Sequence, residues 1–418
     1  MHADLTAGLP SIMHFPTSFV RPTGRDRLVP LTVLWIALGV RLWNLGGQSF
    51  WWDEAYSTEV ARRSLPAIVE ELRALDFHPP LHYVLLHYWL RFAGESEFAL
   101  RYLSLLASVA TVALAFTLGR RLFGSGPATG LIFALAPFHV YYAQETRMYA
   151  LVALAATLTL YCFSRAATMR GQRWWIFTGI AFALGLYTYY YFIFVLLALG
   201  VFALIMPDRG RLLRGLVLAG ALAGVLYLPW LPILLERNTV WTSDWASVQS
   251  PWRIVAWTWP ALTLGVPEIA LYRTPVAGLL AVATLPLVLA ATRLRGDAAS
   301  RSVAFALLTG LLPLVAMALV AAVRPVYHPR YAMPTTAGLY LALAAAVTHP
   351  HRLPRIVSAL ALGVVFVVGL GFVLFDPAQA REDYRSAVAY IQQQATERDV
   401  VLYNAPPSDE IEASPLED

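Results

Sequence analysis

Lysine is absent from this 418-residue chain: all 31 basic residues are arginine, which reads as a codon bias rather than as chemistry. Cysteine occurs once, as Cys162 in an apolar run, and this excludes an internal disulfide. Charge as a whole is scarce, at 14% of residues against about 25% in a soluble globular protein. Hydrophobic residues make up 58% and the mean hydropathy is +0.58. These values exclude a soluble enzyme. No small-residue cleavage site follows the first apolar run, so that run reads as a retained anchor and not a signal peptide. Internal repeats are missing as well, and the ionisable residues gather at the ends of the apolar runs. Both features weigh against a transporter or flippase of a lipid-linked sugar, the rival reading, because transporters carry repeats and polar groups at the bilayer midplane.

What is present is a series of apolar runs of about 17–25 residues, each long enough to cross a ~30 Å hydrocarbon core. Spans are expected near 28–46, 98–122, 127–143, 148–168, 174–189, 190–206, 213–235, 275–292, 303–323, 331–348 and 355–375. The run 174–206 is too long for one crossing and divides near Tyr189–Tyr191. The expected fold is an all-α polytopic membrane protein of about eleven crossing helices, with outer juxtamembrane helices and a small C-terminal α/β remnant. Segment 1–27 would be cytoplasmic, 28–375 the membrane domain with a first outer loop at 47–97, and 376–418 a short outer or periplasmic segment.

Charge sets the orientation. With the N-terminus cytoplasmic, the inner segments hold sixteen Arg against four acids, and the outer ones thirteen Arg against twenty-two acids. Arg favours the cytoplasmic side, so the orientation follows, and the net charge of +5 needs no nucleic acid partner. Residues 78–93 would lie in the outer interface as a short amphipathic helix. Its His82 and His87, five apart, do not share a helical face and read as interface residues. Arg41, inside the first span, is costly in lipid and either snorkels outward or pairs with a carboxylate.

The outer segments carry nearly all the chemical variety. Asp53 and Glu54 follow two tryptophans in "FWWDEAYS" and sit where a helix would start, a position the helix dipole alone would favour. "AQETRMY" brings Glu145, Arg147 and Tyr149; "RPVYHPRYAMP" brings Arg324, His328, Arg330 and Tyr331. The loop 236–273 holds Trp241, Trp245, Trp252, Trp257 and Trp259, which fit an aromatic belt as well as a sugar platform. A carboxylate can serve as general base or metal ligand, and guanidiniums match phosphate oxyanions. The combination points to a substrate with a phosphate at headgroup depth, a lipid tail and a polar head facing outward.

Four motifs in order, "WWDEAYS", "HPPL", "QETRMYAL" and "YHPRYAMP", resemble the GT-C glycosyltransferases. The likeness is to family 39-type bacterial enzymes, relatives of protein O-mannosyltransferases and of the aminoarabinose transferase that modifies lipid A. It covers about residues 24–405. The resemblance implies a multi-pass enzyme of the bacterial plasma membrane. Such an enzyme moves a sugar from a polyprenyl-phosphate donor to a lipid, glycan or protein acceptor on the outer face, with inversion. It also implies catalytic roles for Asp53 and Glu54, and donor-phosphate roles for Arg147, Arg330, Arg324 and His78. Glu145, Tyr149, Tyr331 and His328 become further substrate-binding candidates. A divalent ion (Mg, Mn or Zn), used by some relatives and not others, would fall to Asp53 and Glu54. Two departures stand out: His78 replaces a lysine found in some relatives, and only one helix and one strand follow the last span where many relatives have a larger domain.

Overall fold

The computed structural model describes residues 24–76, 78–169, 171–238, 251–265, 274–294, 297–323 and 327–396. Within them the chain is mainly helical and forms no strand. The strand expected after 396 lies outside the described residues, as do Arg324, Trp241 and Trp245.

The first helix is α1 (Gly24–Leu42). The loop that follows folds into three short helices, α2 (Trp52–Arg62), α3 (Leu65–Ala74) and α4 (Leu81–Ala93). Ser64 separates α2 from α3, and Pro66 starts α3 where its missing N–H is no loss. With thirteen residues α4 reaches only ~20 Å, too short to cross. It buries His82, Tyr83, Leu86, His87 and Leu90 against its neighbours and leaves Tyr88 and Phe92 exposed.

Then come α5 (Glu97–Phe123), α6 (Gly126–Leu135), α7 (Pro137–Ala143) and α8 (Tyr149–Thr168). They are followed by α9 (Arg173–Thr188), α10 (Ile193–Ile205), α11 (Arg209–Tyr227), α12 (Leu231–Asn238) and α13 (Pro251–Leu264). The set closes with α14 (Thr274–Ala291), α15 (Ala298–Ala321), α16 (Met333–Val347), α17 (Arg352–Phe375) and α18 (Tyr384–Gln394). Among the described residues five helices, α5, α8, α11, α15 and α17, are long and apolar enough to cross a membrane.

The 33-residue run divides at Tyr189, where a 3-10 turn at Tyr190–Phe192 joins α9 to α10. Two expected spans are each broken in two. Residues 127–143 divide at Pro137 into α6 and α7, and 213–235 divides at Leu228–Trp230 into α11 and α12. The first break accounts for Arg41. Pro137 cannot donate to the Phe133 carbonyl four residues back, so the end of α6 is short of donors. Arg41 supplies them: Nη2 donates to Phe133 O at 3.0 Å and Nη1 to Ala134 O at 2.7 Å, with Nε on Ser108 at 2.8 Å. It neither snorkels nor meets a carboxylate. It is fully buried as the cap of a broken helix, where a cation suits the negative end of the dipole.

The centre of the bundle is α16, in which every residue from Met333 to Ala346 is buried. Small residues allow this. Gly338 packs directly on Gly310 of α15, and a Cβ on Gly338 would lie 2.2 Å from the Gly310 nitrogen. A 3-10 turn, Pro329–Ala332, leads into α16. The end of α1 and the starts of α5, α8, α10 and α16 meet at one end of the bundle with the end of α17, as alternating crossings require. Arg330 therefore stands on the rim of the almost wholly buried helix α16.

Candidate active site

At that end, four segments far apart in sequence converge on the first turn of α2. Trp51 precedes the helix, and Asp53 and Glu54 occupy its first turn. Neighbouring residues on a helix point about 100° apart, so the two carboxylates face different surroundings.

Glu54 turns inward and is 0% exposed. Arg101, near the start of α5, grips it with both arms of its fork, Nε to Oε1 at 2.9 Å and Nη2 to Oε2 at 2.7 Å. Arg381, from the segment after α17, donates Nη1 to Oε2, and the Thr146 N–H donates to Oε1 at 2.7 Å. Burial pushes this carboxyl up, but Arg381 and Arg101 outweigh it and hold it below the usual carboxylate range. Arg101 also donates to the carbonyls of Leu45, Gln48 and Ser49 at 2.8–3.0 Å. Ser96 makes this possible by capping α5 through the Ala99 N–H, which fixes where Arg101 projects. Glu54 thus ties four chain segments together.

Asp53 turns away from that brace and keeps 21% of its side chain exposed. Arg330 Nη1 donates to its Oδ2 at 3.0 Å, and Arg147 Nη2 lies 3.8 Å from the same oxygen. Among the described residues Oδ1 accepts no hydrogen bond. Arg147 is further held by Ser57 Oγ (2.8 Å), the Asp53 carbonyl (3.3 Å) and Tyr83 Oη (3.4 Å). Arg330 lies among the rings of Trp51, Tyr149 and Tyr331 at 5.7–5.9 Å. The Nε groups of both arginines, the Tyr149 hydroxyl and the Trp51 Nε1 are buried with no partner among the described residues. Buried donors without partners are rare, and a cluster of them calls for a functional explanation. Here they suit an incoming anion.

His78 belongs to the same network at one remove. Its Nδ1 lies 2.6 Å from Asp76 Oδ1, and Tyr83, which Arg147 reaches, donates to Asp76 Oδ2. Burial pushes the Asp76 carboxyl up, but His78, Arg147 and Tyr83 together outweigh it and the net direction is down. His328 receives the Arg330 N–H on Nδ1 at 3.2 Å and packs edge-on to Trp257. Burial, then Arg330, push the His328 imidazole down to about 3, so it is neutral.

Glu145 lines an adjoining cleft, to which Arg330 also contributes, and is 1% exposed. Its Oε1 lies 3.5 Å from Arg381, and Oε2 has no partner among the described residues. Burial pushes its carboxyl up, Arg381 pulls it down and Glu54 pushes it up again, leaving it at about 7. The cleft has a volume of about 250 Å³, is open to solvent, and is lined by Trp51, Glu145, His328, Arg330 and Arg381 among others.

The sequence-predicted residues Asp53, Arg147, Arg330, Glu145, Tyr149, Tyr331 and His328 are therefore brought together, with His78 beside them. Glu54 is adjacent but committed to the brace. Arg101 and Arg381 went unnoticed in the sequence. Arg101 had a signal, a cation inside an apolar span; Arg381 had none. A divalent ion does not fit the two carboxylates as they stand: Glu54 is saturated by guanidiniums and an N–H, and Asp53 faces two cations. Among the described residues no group of three or more His, Cys, Asp or Glu side chains is placed to hold a metal ion.

A family model described as dolichyl-phosphate-mannose-protein mannosyltransferase matches residues 77–233, which include Glu145 and Arg147 but neither Asp53 nor Arg330. No curated protein matches the chain by sequence. Among solved structures, ArnT from Cupriavidus metallidurans bound to undecaprenyl phosphate is similar at a TM-score of 0.56 and 15% identity, over 90% of this chain and 82% of that one. Its apo state gives 0.59 and 15%, over 89% and 80%. The archaeal oligosaccharyltransferase AglB from Archaeoglobus fulgidus, in complex with an inhibitory peptide and a dolichol-phosphate, gives 0.53 and 12%, over 90% and 59%. This chain is a helical membrane protein with the GT-C fold.

Proposed function

We propose that this GT-C-fold membrane protein is a glycosyltransferase that takes a sugar from a polyprenyl-phosphate donor at the outer face of the bacterial plasma membrane and passes it, with inversion, to a lipid, glycan or protein acceptor. The observation that carries the reading is the trio Asp53, Arg147 and Arg330. It sets one partly exposed carboxylate between two guanidiniums with unpartnered N–H groups, at the rim of a membrane helix bundle. ArnT and AglB, as solved with undecaprenyl phosphate and dolichol-phosphate, support a lipid phosphate as the ligand class.

The donor phosphate sits against Arg330 and Arg147, with His78 and Arg324 as further candidates. Tyr149, Tyr331 and His328 wall the sugar end, and Glu145 offers a hydrogen-bond acceptor on the far side. The acceptor hydroxyl oxygen attacks the anomeric carbon while the bond from that carbon to the phosphate oxygen breaks. The electron pair leaves with the polyprenyl phosphate, whose developing charge the two guanidiniums stabilise. Asp53 takes the hydroxyl proton, a general-base role expected to contribute about 10²–10⁴-fold. Glu54 acts at a distance: it fixes the first turn of α2 and hence the direction of Asp53. The N-terminus would be cytoplasmic and the segment after α17 outer.

Inversion is directly testable. The anomeric configuration of the transferred sugar, read by NMR from a donor of known configuration, should be opposite to that of the donor. Retention would mean a glycosyl-enzyme intermediate and would remove Asp53 from its role as base.

A further inference from the structure

We infer that Arg381 is a positioning residue of this site: it divides its guanidinium between Glu54 and Glu145, and so keeps Glu145 available as a carboxylate at the wall of the cleft. This rests on the glycosyl-transfer reading above and adds to it the segment that leaves α17.

That segment crosses the mouth of the site and is fastened at several points. The Arg381 N–H donates to Gln48 Oε1 at 3.2 Å, Ser49 Oγ donates to the Glu382 carbonyl at 2.7 Å, and the Tyr384 N–H donates to Ser49 Oγ at 3.1 Å. Arg385 reaches Glu97 at 2.6 Å. Residues 378–382 form a continuous part of the cleft lining. The strap is therefore one wall of the site and not an appendage to the bundle.

Arg381 is the strap's deepest contact. One Nη goes to Glu54, and the other donates to the Gln144 carbonyl at 2.9 Å while lying 3.5 Å from Glu145 Oε1. The sharing is unequal. Glu54 already has Arg101 and an N–H, whereas Glu145 has only this longer contact and a buried Oε2 with no partner among the described residues. Glu145 is thus a carboxylate beside the cleft with one buried, unpartnered oxygen and Arg381 as its one cation within 4 Å among the described residues. The charged and titratable groups around it are Arg381 on the strap, Asp53 and Glu54 on α2, Arg330 before α16, and Tyr141 and Tyr142 on α7. Ionised, it accepts a hydrogen bond from a hydroxyl or ammonium group of a bound substrate; protonated, it loses that capacity on the oxygen that carries the proton.

The sign of the pH effect follows. Burial raises Glu145 and Arg381 lowers it, to about 7. Removing Arg381 raises it further, so the carboxylate form is lost at neutral pH. An opposite charge at this range shifts a carboxyl by about 1–3 pH units.

The test uses the full-length protein in lipid nanodiscs. Infrared difference spectra across pH 5–9 follow the protonated carboxyl band, alongside the pH profile of donor turnover. The wild type should show a band titrating near neutrality that disappears in Glu145→Gln. In Arg381→Gln the titration and the acid limb of turnover should both move up by about 1–3 units. Arg381→Lys, which keeps the charge without the fork, should return both most of the way and also serves as the folding control. If the titration and the acid limb of Arg381→Gln superimpose on those of the wild type, Arg381 is a structural tie only and the inference fails. A wild type that shows the predicted band but turns over no donor counts against the transfer reading, while the band alone still decides the Arg381–Glu145 pairing.

Discussion

Asp53→Asn lowers turnover by about 10²–10⁴-fold and at the same time tightens donor binding. The two effects have opposite signs for one physical reason. Asp53 holds Arg330 at 3.0 Å and stands 3.8 Å from Arg147. A carboxylate in that position accepts the acceptor's proton, but it also competes with the donor phosphate for the same guanidiniums and repels it. An amide of the same shape ends the proton transfer and the repulsion together. Measured kcat should fall while the Kd for a polyprenyl-phosphate sugar also falls. If Asp53 served only as a helix start, kcat would hardly change. If it served mainly to position the arginines, binding would weaken.

Arg101→Ala should be the most destabilising single change in the site region. Arg101 is 2% exposed and pairs with a carboxylate that is 0% exposed. Removing one partner of a buried, hydrogen-bonded pair leaves the other charge uncompensated and costs about 3–5 kcal/mol. Arg381 remains on Glu54, which limits the loss, but the carbonyls of Leu45, Gln48 and Ser49 lose their donor as well. The expected result is a large drop in the thermal unfolding midpoint of purified protein, with proteolysis appearing first in the loop 45–51. Arg101→Lys should recover only part of it, because an ammonium cannot span the bidentate contact and three carbonyls at once. An Arg101→Ala protein as stable as the wild type would mean that Glu54 is held by Arg381 alone.

These two residues also mark where sequence reading stops. The crossings are legible because hydrocarbon thickness dictates run length, and the division at Tyr189 follows from a run too long for one pass. The breaks at Pro137 and at Leu228–Trp230 are not legible, because apolar character continues through both and a proline at the first position of a helix disturbs no pattern. The cleft-facing residues were found because carboxylates and guanidiniums gather on one side of a membrane that otherwise holds few. Residue type and position alone do not separate Asp53 from Glu54; only the family resemblance puts the base on Asp53. They are adjacent, equally acidic and both in the first turn, yet one step around α2 puts the first at a partly exposed position against Arg330 and the second in a buried brace. That difference depends on Arg101 and Arg381, which lie 47 and 327 positions from Glu54.

The most direct test of the central claim is donor turnover by the reconstituted protein. Purified protein in liposomes is given a panel of polyprenyl-phosphate sugars with an envelope extract as acceptor, and free polyprenyl phosphate is followed by mass spectrometry. The account predicts release with at least one donor, loss of that release in Asp53→Asn, and retained binding of the same donor. No release with any donor, together with movement of the intact lipid-linked sugar between leaflets, would contradict it and make the protein a transporter.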